Sequence, residues 1–166
     1  MHLPPDFTFS QNNLQDFVDC ERRFELRYIQ KLDWPAIESE PYLVYEQHIE
    51  LGQQFHKLVQ QHQSGIPTLQ LEKSIHNPKL LIWWKNYQTY LPEDIPNRRY
   101  TEVLLTTPFR RYRLVAKFDL IAIDEGQRAI ILDWKTTSLS RRPNSNYLHS
   151  RLQTKVYPFI FTRAGF

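Results

Sequence analysis

The spacing of apolar residues divides the chain into a helical part followed by a part with the two-residue period of strands. Ser10 reads as a helix N-cap, because its hydroxyl can accept a free N–H of the first turn, and Leu14, Phe17, Val18, Phe24 and Tyr28 follow at helical spacings. The pattern predicts an amphipathic helix ending near Lys31. Asp33 to Pro41 carries two prolines and several acids, which suits a connecting loop. A second helix is predicted from about Tyr45 to Gln63, with Gly52, Phe55, His56 and Val59 near one side and Gly65, Ile66 and Pro67 ending it. Asn77 to Leu91 reads as a third helix, carrying Leu80, Leu81, Trp83, Trp84, Tyr87 and Tyr90 and stopped by Pro92 and Pro96. Its four aromatics could stack on unpaired bases, although aromatics at helical spacing are also the ordinary filling of a core.

From Glu102 the period changes to two. Val103 to Leu105, Arg113 to Ile123 and Arg128 to Trp134 read as strands, the last two joined by a turn of Asp124, Glu125, Gly126 and Gln127. A hairpin centred on Gly126 sets Asp119 opposite Asp133. Both of its faces are apolar, Phe118, Leu120, Ala122, Ile130, Leu132 and Trp134 on one and Ile121, Ile123, Ala129 and Ile131 on the other. A sheet buried on both faces needs helices on both sides. Arg141 to Asn146 reads as a polar loop and Tyr147 to Phe161 as a final helix, in which Pro158 would remove a backbone donor and kink the chain. The expected fold is α/β, a mixed central sheet with helices on both faces. It forms one domain with a helical part over 10–91 and the sheet over 100–166.

Charge adds a partner to this picture. The net charge is only +3, but up to Pro96 there are 8 basic and 13 acidic residues, and from Asn97 onward 13 basic and 5 acidic. Local field, not the total, concentrates a polyanion. The single cysteine, Cys20, excludes an intrachain disulfide framework and any multi-cysteine metal site built from this chain alone, and reads as a small buried hydrophobe. Apolar content of 41% argues against disorder. No apolar run approaches the ~20 residues of a membrane span, and no signal peptide is visible at Met1 to Asp6. A soluble cytoplasmic domain without a membrane partner is expected.

Asp133 and Lys135 are two apart on a strand and share a face, and the hairpin register adds Asp119 to it. Beside Ile121 and Ile131 an unpaired carboxylate is costly. A hard divalent cation, Mg²⁺ or Mn²⁺, accounts for two carboxylates there, with the lysine orienting a water or neutralising charge, which is the equipment of phosphodiester hydrolysis. The triplet alone says little. With each residue type near ~6%, acid-x-Lys occurs about once in such a chain by chance, and a surface ion pair at a strand end leaves the same pattern.

Asp119, Ile131-Leu-Asp-Trp-Lys-Thr136 and Gln153-x-x-x-Tyr157 together resemble the PD-(D/E)xK nuclease superfamily, in particular its RecB-like exonuclease branch, which includes CRISPR-associated members. Ser10 with Cys20-Glu-Arg-Arg-Phe24, Gly52-x-x-x-His56 and Glu102 extend the resemblance to nearly the whole chain. It implies a restriction-endonuclease-like core and a metal held by His56, Asp119, Asp133 and a backbone carbonyl after Asp133. Lys135 would be the catalytic lysine, Gln153 and Tyr157 would line the site and hold nucleic acid, and Glu102 would be an additional acid. Gly52 beside His56 would let the helix approach the sheet closely, and an imidazole ligand favours Mn²⁺ over Mg²⁺. A solvated histidine and a core tyrosine are the ordinary alternatives for His56 and Tyr157.

The chain also departs from the family. Ala116 stands where a glycine is usual and Phe118 where a proline is, and only Cys20 is present of the four cysteines that hold an iron–sulfur cluster in some members, so no cluster is expected. The chain ends nine residues after Tyr157, where relatives continue, which reads either as truncation at the C-terminus or as a minimal version of the domain. Arg110, Arg111, Arg141, Arg142 and Arg151 are the candidate substrate-binding residues. Arg98, Arg99, Arg113 and Lys155 also flank the site in sequence; all can pair with phosphates or form a solvated basic surface. The expected function is hydrolysis of DNA, at single strands or ends, in repair, recombination or defence. The alternatives are a catalytically weak nucleic-acid-binding module working with a helicase partner, and an α/β domain whose ion pair mimics the motif.

Overall fold

The computed structural model describes residues 3–32, 40–124, 126, 128–136 and 144–165. In chain order the elements are β1 (Thr8–Ser10), α1 (Gln11–Asp19), α2 (Glu21–Phe24), a π-helical turn (Glu25–Ile29), α3 (Glu40–Gln63), α4 (Thr68–Lys73), α5 (Pro78–Tyr90), β2 (Arg98–Phe109), β3 (Tyr112–Asp124), β4 (Arg128–Leu132), α6 (Ser145–Ser150) and α7 (Gln153–Arg163). The strands form a mixed four-stranded sheet in which β3 pairs with β1, β2 and β4. Two compact units divide the chain, Met1–Ala36 with Leu104–Lys117 and Ser138–Phe166, and Ile37–Val103 with Phe118–Thr137. Among the described residues no helix is long and apolar enough to cross a membrane.

In the first unit β1 runs parallel to the start of β3, Phe9 opposite Leu114. Ser10 closes the strand and caps α1. Its Oγ accepts the Asn13 N–H at 3.3 Å while Asn13 Oδ1 accepts the Ser10 N–H at 2.8 Å, a reciprocal capping box. The helix expected to reach Lys31 breaks at Cys20, whose backbone is extended (φ −165°, ψ 105°). Its sulfur accepts the Arg23 N–H at 3.4 Å and so starts α2. Cys20 is therefore exposed, not the buried hydrophobe expected from composition, because it serves as a cap at a corner of the chain. The predicted final helix is likewise two, α6 and α7, and Gln15 Oε1 accepts the Leu152 N–H at 2.9 Å where they part. α7 continues through Pro158, and burial of Val156, Tyr157, Ile160 and Phe161 offsets the lost backbone bond.

The second unit is built on α3 and α5. Phe55, Leu58, Val59, Leu71, Leu80, Trp84 and Tyr87 form its core, and the unpredicted α4 contributes Leu71 and the Glu72 carboxylate that accepts the buried Trp84 indole N–H at 3.3 Å. Of the aromatics on α5, Trp84 and Tyr87 are core residues, while Tyr90 is 80% exposed. The Tyr87 hydroxyl accepts from Gln63 at 2.6 Å and lies 2.8 Å from His62 Nδ1; burial, helped by Arg99, lowers the His62 pKa, which suits that nitrogen as an acceptor. The hairpin has the predicted register, Leu120 opposite Leu132 and Asp124 opposite Arg128, with Gly126 at φ 72° in its turn. Leu120, Ile121 and Ala122 are fully buried, so both faces of β3 are closed at this level. β2 is longer than its apolar triplet suggested, and β4 shorter, ending at Leu132. The predicted loop at Asp33 to Pro41 and the loop from Arg141 fall largely on residues outside those described.

The capping box gives a direct test. Ser10→Ala removes the acceptor for Asn13 and is expected to lower stability by about 1 kcal/mol, read as a lower urea midpoint at unchanged slope; Ser10→Asp, which keeps an acceptor, should hold the midpoint near that of the parent.

Candidate metal centre

The centre lies in the second unit. α3 presents His48, Gly52 and His56 at intervals of four, one stripe of the helix. A Cβ on the buried Gly52 would stand 2.9 Å from Thr136 Oγ1, so any side chain there would force that hydroxyl to move, and glycine lets the helix run this close to the segment after β4 without it. One turn back, His48 Nε2 lies 2.8 Å from the Thr136 carbonyl and donates to it; its Nδ1 then accepts from Lys79 Nζ at 3.1 Å. Lys79 also lies over the Trp83 ring, 5.2 Å from its centroid.

β3 supplies Asp119. Its Oδ2 accepts the Trp134 backbone N–H at 2.9 Å and lies 3.3 Å from His56 Nδ1. β4 has left the ladder by this point, and the carboxylate takes over as the bond that holds the chain at Trp134. β2 supplies Glu102, whose backbone sits at φ 54°, in the left-handed region that costs a non-glycine residue about 1 kcal/mol or more. Among the described residues, ligating atoms of His56, Glu102 and Asp119 all lie within 4.8 Å of one another. Asp133, mostly buried, pairs with the half-exposed Lys135 at 2.6 Å.

Electrostatics tie Asp133 to the same group. The bond to Asp119 raises the His56 pKa above its ordinary 6.5, burial opposes the shift, and the charges of Asp119, Glu102 and Asp133 add to it. Carboxylates crowded this closely call for a compensating cation. Protonation of the imidazole, which its raised pKa favours, supplies one in the metal-free protein. An imidazole nitrogen beside two hard carboxylates is also a donor set that fits Mn²⁺ or Mg²⁺.

Of the residues singled out from sequence, the fold gathers His56, Glu102 and Asp119, and sets the Asp133–Lys135 pair within electrostatic reach of the imidazole. Gln153 and Tyr157 belong to the first unit, on α7; Tyr157 is buried there and its hydroxyl donates to the Lys117 carbonyl at 2.8 Å. Arg110, Arg111 and Arg151 are also first-unit residues. Arg110 occupies the tip of the β2–β3 turn at φ 54°, Arg111 bonds the Tyr112 hydroxyl at 2.7 Å, and Arg151 bonds that of Tyr147 at 3.1 Å. Arg141 and Arg142 lie outside the described residues. Arg99 is tied to Gln63 Oε1 at 2.9 Å and to the Pro96 carbonyl at 3.0 Å. The sequence reading missed His48 and Lys79. The four-residue interval of His48, Gly52 and His56 was a usable signal, but nothing local says that a carbonyl eighty-eight residues away meets the first of them.

Compared with known proteins, the chain matches the profile of the PD-(D/E)XK nuclease superfamily over residues 8–166. No curated protein and no solved structure matches it.

The imidazole can be followed by NMR titration of the metal-free protein. His56 is expected to titrate above 6.5, and Asp119→Asn to bring it back down. Because the folded pKa is the raised one, the pair's stabilisation is complete below the unfolded value and is lost as pH rises through the folded value. Melting temperature measured across that window should fall in the parent and be flatter in Asp119→Asn.

Proposed function

Because the chain belongs to the PD-(D/E)XK nuclease superfamily, we propose that it is a metal-dependent, RecB-like nuclease that hydrolyses DNA at the centre formed by His56, Glu102, Asp119, Asp133 and Lys135. The observation that carries this reading is the convergence of an imidazole and two carboxylates within 4.8 Å, next to an Asp133–Lys135 pair at 2.6 Å. That spacing and donor chemistry are what a phosphodiester hydrolase requires.

His56, Glu102, Asp119 and Asp133 would hold a Mg²⁺ or Mn²⁺ ion. Such an ion, when bound, stabilises charge on a phosphoryl oxygen and lowers the pKa of a coordinated water. The chain's own groups do the rest. To offer a nitrogen lone pair, a protonated His56 would release its proton to solvent, while the Trp134 N–H holds the Asp119 carboxylate beside it. Lys135 is half exposed on a flexible stem; its ammonium can turn from Asp133 towards a phosphoryl oxygen as negative charge develops there. The Gly52 contact and the His48 bond to Thr136 hold the segment that carries both residues.

The RecB-like assignment rests on the order of Ser10, the Cys20–Phe24 motif, Gly52 to His56, Asp119, Asp133, Lys135, Gln153 and Tyr157. In that reading the whole chain is one nuclease domain acting on single strands or ends, in the cytoplasm, in repair, recombination or defence, with a helicase as a fitting partner. Gln153, Tyr157, Arg110, Arg111, Arg141, Arg142 and Arg151 are its proposed substrate contacts.

The test is cleavage of labelled linear and circular single-stranded DNA with Mn²⁺. Asp119→Ala and Lys135→Ala are each expected to reduce the rate by about two to three orders of magnitude, with folding checked by circular dichroism, and the linear strand should be the better substrate. Equal cleavage by parent and variants would remove the site from the chemistry. Tight binding of DNA without any metal-dependent cleavage would make the protein a binding module.

A further inference from the structure

The Cys20-Glu-Arg-Arg-Phe24 motif has no part in the chemistry above, yet its Arg23 lines a polar cleft of the first unit. The cleft has a volume of about 410 Å³, and its walls include Gln15, Asp16, Asp19, Arg23, Arg27 and Arg151. Asp16, 16% exposed, is the hub. It takes Arg23 Nε at 3.0 Å, Arg27 Nη1 at 2.9 Å and the Tyr28 hydroxyl at 2.9 Å. Asp19 accepts Gln15 Nε2 at 2.7 Å and Arg23 Nη2 at 3.1 Å, with Arg151 Nη1 4.0 Å away.

Two features set this cleft apart from a set of surface ion pairs. The carboxylate oxygens are occupied by partners inside the network, whereas each guanidinium has five N–H donors and uses only some of them here. Three guanidiniums against two carboxylates also leave one positive charge. The result is a concave surface with surplus donors, net positive charge and arginines fixed by a largely buried acid. That arrangement suits a singly charged group presenting two oxygens, which is the chemistry of a phosphodiester.

We infer that this cleft receives a backbone phosphate of nucleic acid, by a contact independent of the metal centre and indifferent to sequence. The choice of nucleic acid over free phosphate rests on the nuclease reading; the site itself rests on the arginine geometry. Arg27 and Arg151 supply the ligand contacts, and Arg23, gripped by both aspartates, sets their spacing.

The experiment uses the full chain in EDTA, so that no metal contributes, with fluorescein-labelled (dT)20 followed by anisotropy over a range of salt concentrations. Arg27→Gln and Arg151→Gln are each expected to weaken binding several-fold and to reduce the salt slope by about 1. Asp19→Asn, which keeps an acceptor for Gln15 while removing a competing charge, should tighten it. Arg163→Gln, at an arginine that lies over Phe159, should leave it unchanged. Thermal melting of each variant separates loss of contact from loss of fold, and Asp19→Asn tests the idea by a gain that unfolding cannot mimic. Parent-like affinity and slope in both arginine variants, an equal loss in Arg163→Gln, or no tightening in Asp19→Asn would overturn the inference. Binding of inorganic phosphate but not of (dT)20 would overturn it too. Failure here with Mn²⁺-dependent cleavage intact leaves the nuclease reading standing; intact binding with no cleavage removes the nuclease reading and keeps the cleft.

Discussion

The centre depends on a single carboxylate. Asp119 sits where the β3–β4 ladder ends, and its Oδ2 accepts the Trp134 N–H that would otherwise lose its partner as the chain leaves the sheet. The same oxygen faces His56 Nδ1 at 3.3 Å. One side chain thus both holds the chain where the hairpin ladder ends and organises the charge of the cluster. An unbonded backbone N–H at a half-buried position costs about 1–3 kcal/mol, so this bond fixes the orientation of the carboxylate.

Close approach of α3 is the second constraint, and it follows from an absence. Gly52 has no side chain to collide with Thr136, which lets three successive turns of the helix address the segment after β4: His48 grips its carbonyl, Gly52 passes it, and His56 reaches Asp119. Glu102 arrives from the third side at the expense of a left-handed backbone on β2. Strain of this sort persists only where the surroundings over-determine it, and here it falls on the third member of a cluster whose ligating atoms lie within 4.8 Å.

A similar device recurs in the first unit, where Asp16 collects Arg23, Arg27 and Tyr28. In both units a carboxylate of low exposure serves as an acceptor that holds cationic partners in fixed positions. The partners differ, and so does the chemistry. An imidazole beside further carboxylates suits a cation, whereas guanidiniums with donors to spare suit an anion.

Much of this was legible in the chain itself. The cap at Ser10, the helix on α5 and the hairpin register about Gly126 all follow from local rules: a hydroxyl accepts a free N–H, a period of 3.6 or 2 marks a buried face, and a turn about one glycine fixes a pairing. What the chain could not show were events decided by partners remote in sequence. The breaks at Cys20 and after Ser150 lie inside continuous apolar patterns, and the exposure of Cys20 follows from its cap, not its composition. β1 needs its parallel partner on β3 to exist as a strand. Above all, Glu102 was marked only as an additional acid, yet its carboxylate lies within 4.8 Å of the His56 and Asp119 donor atoms, while Asp133 acts beside them through its charge and its lysine. Periodicity tells which face of an element a residue is on; which faces meet, and at what distance, is set by packing between elements far apart in the chain, and that was decided by the tertiary structure alone.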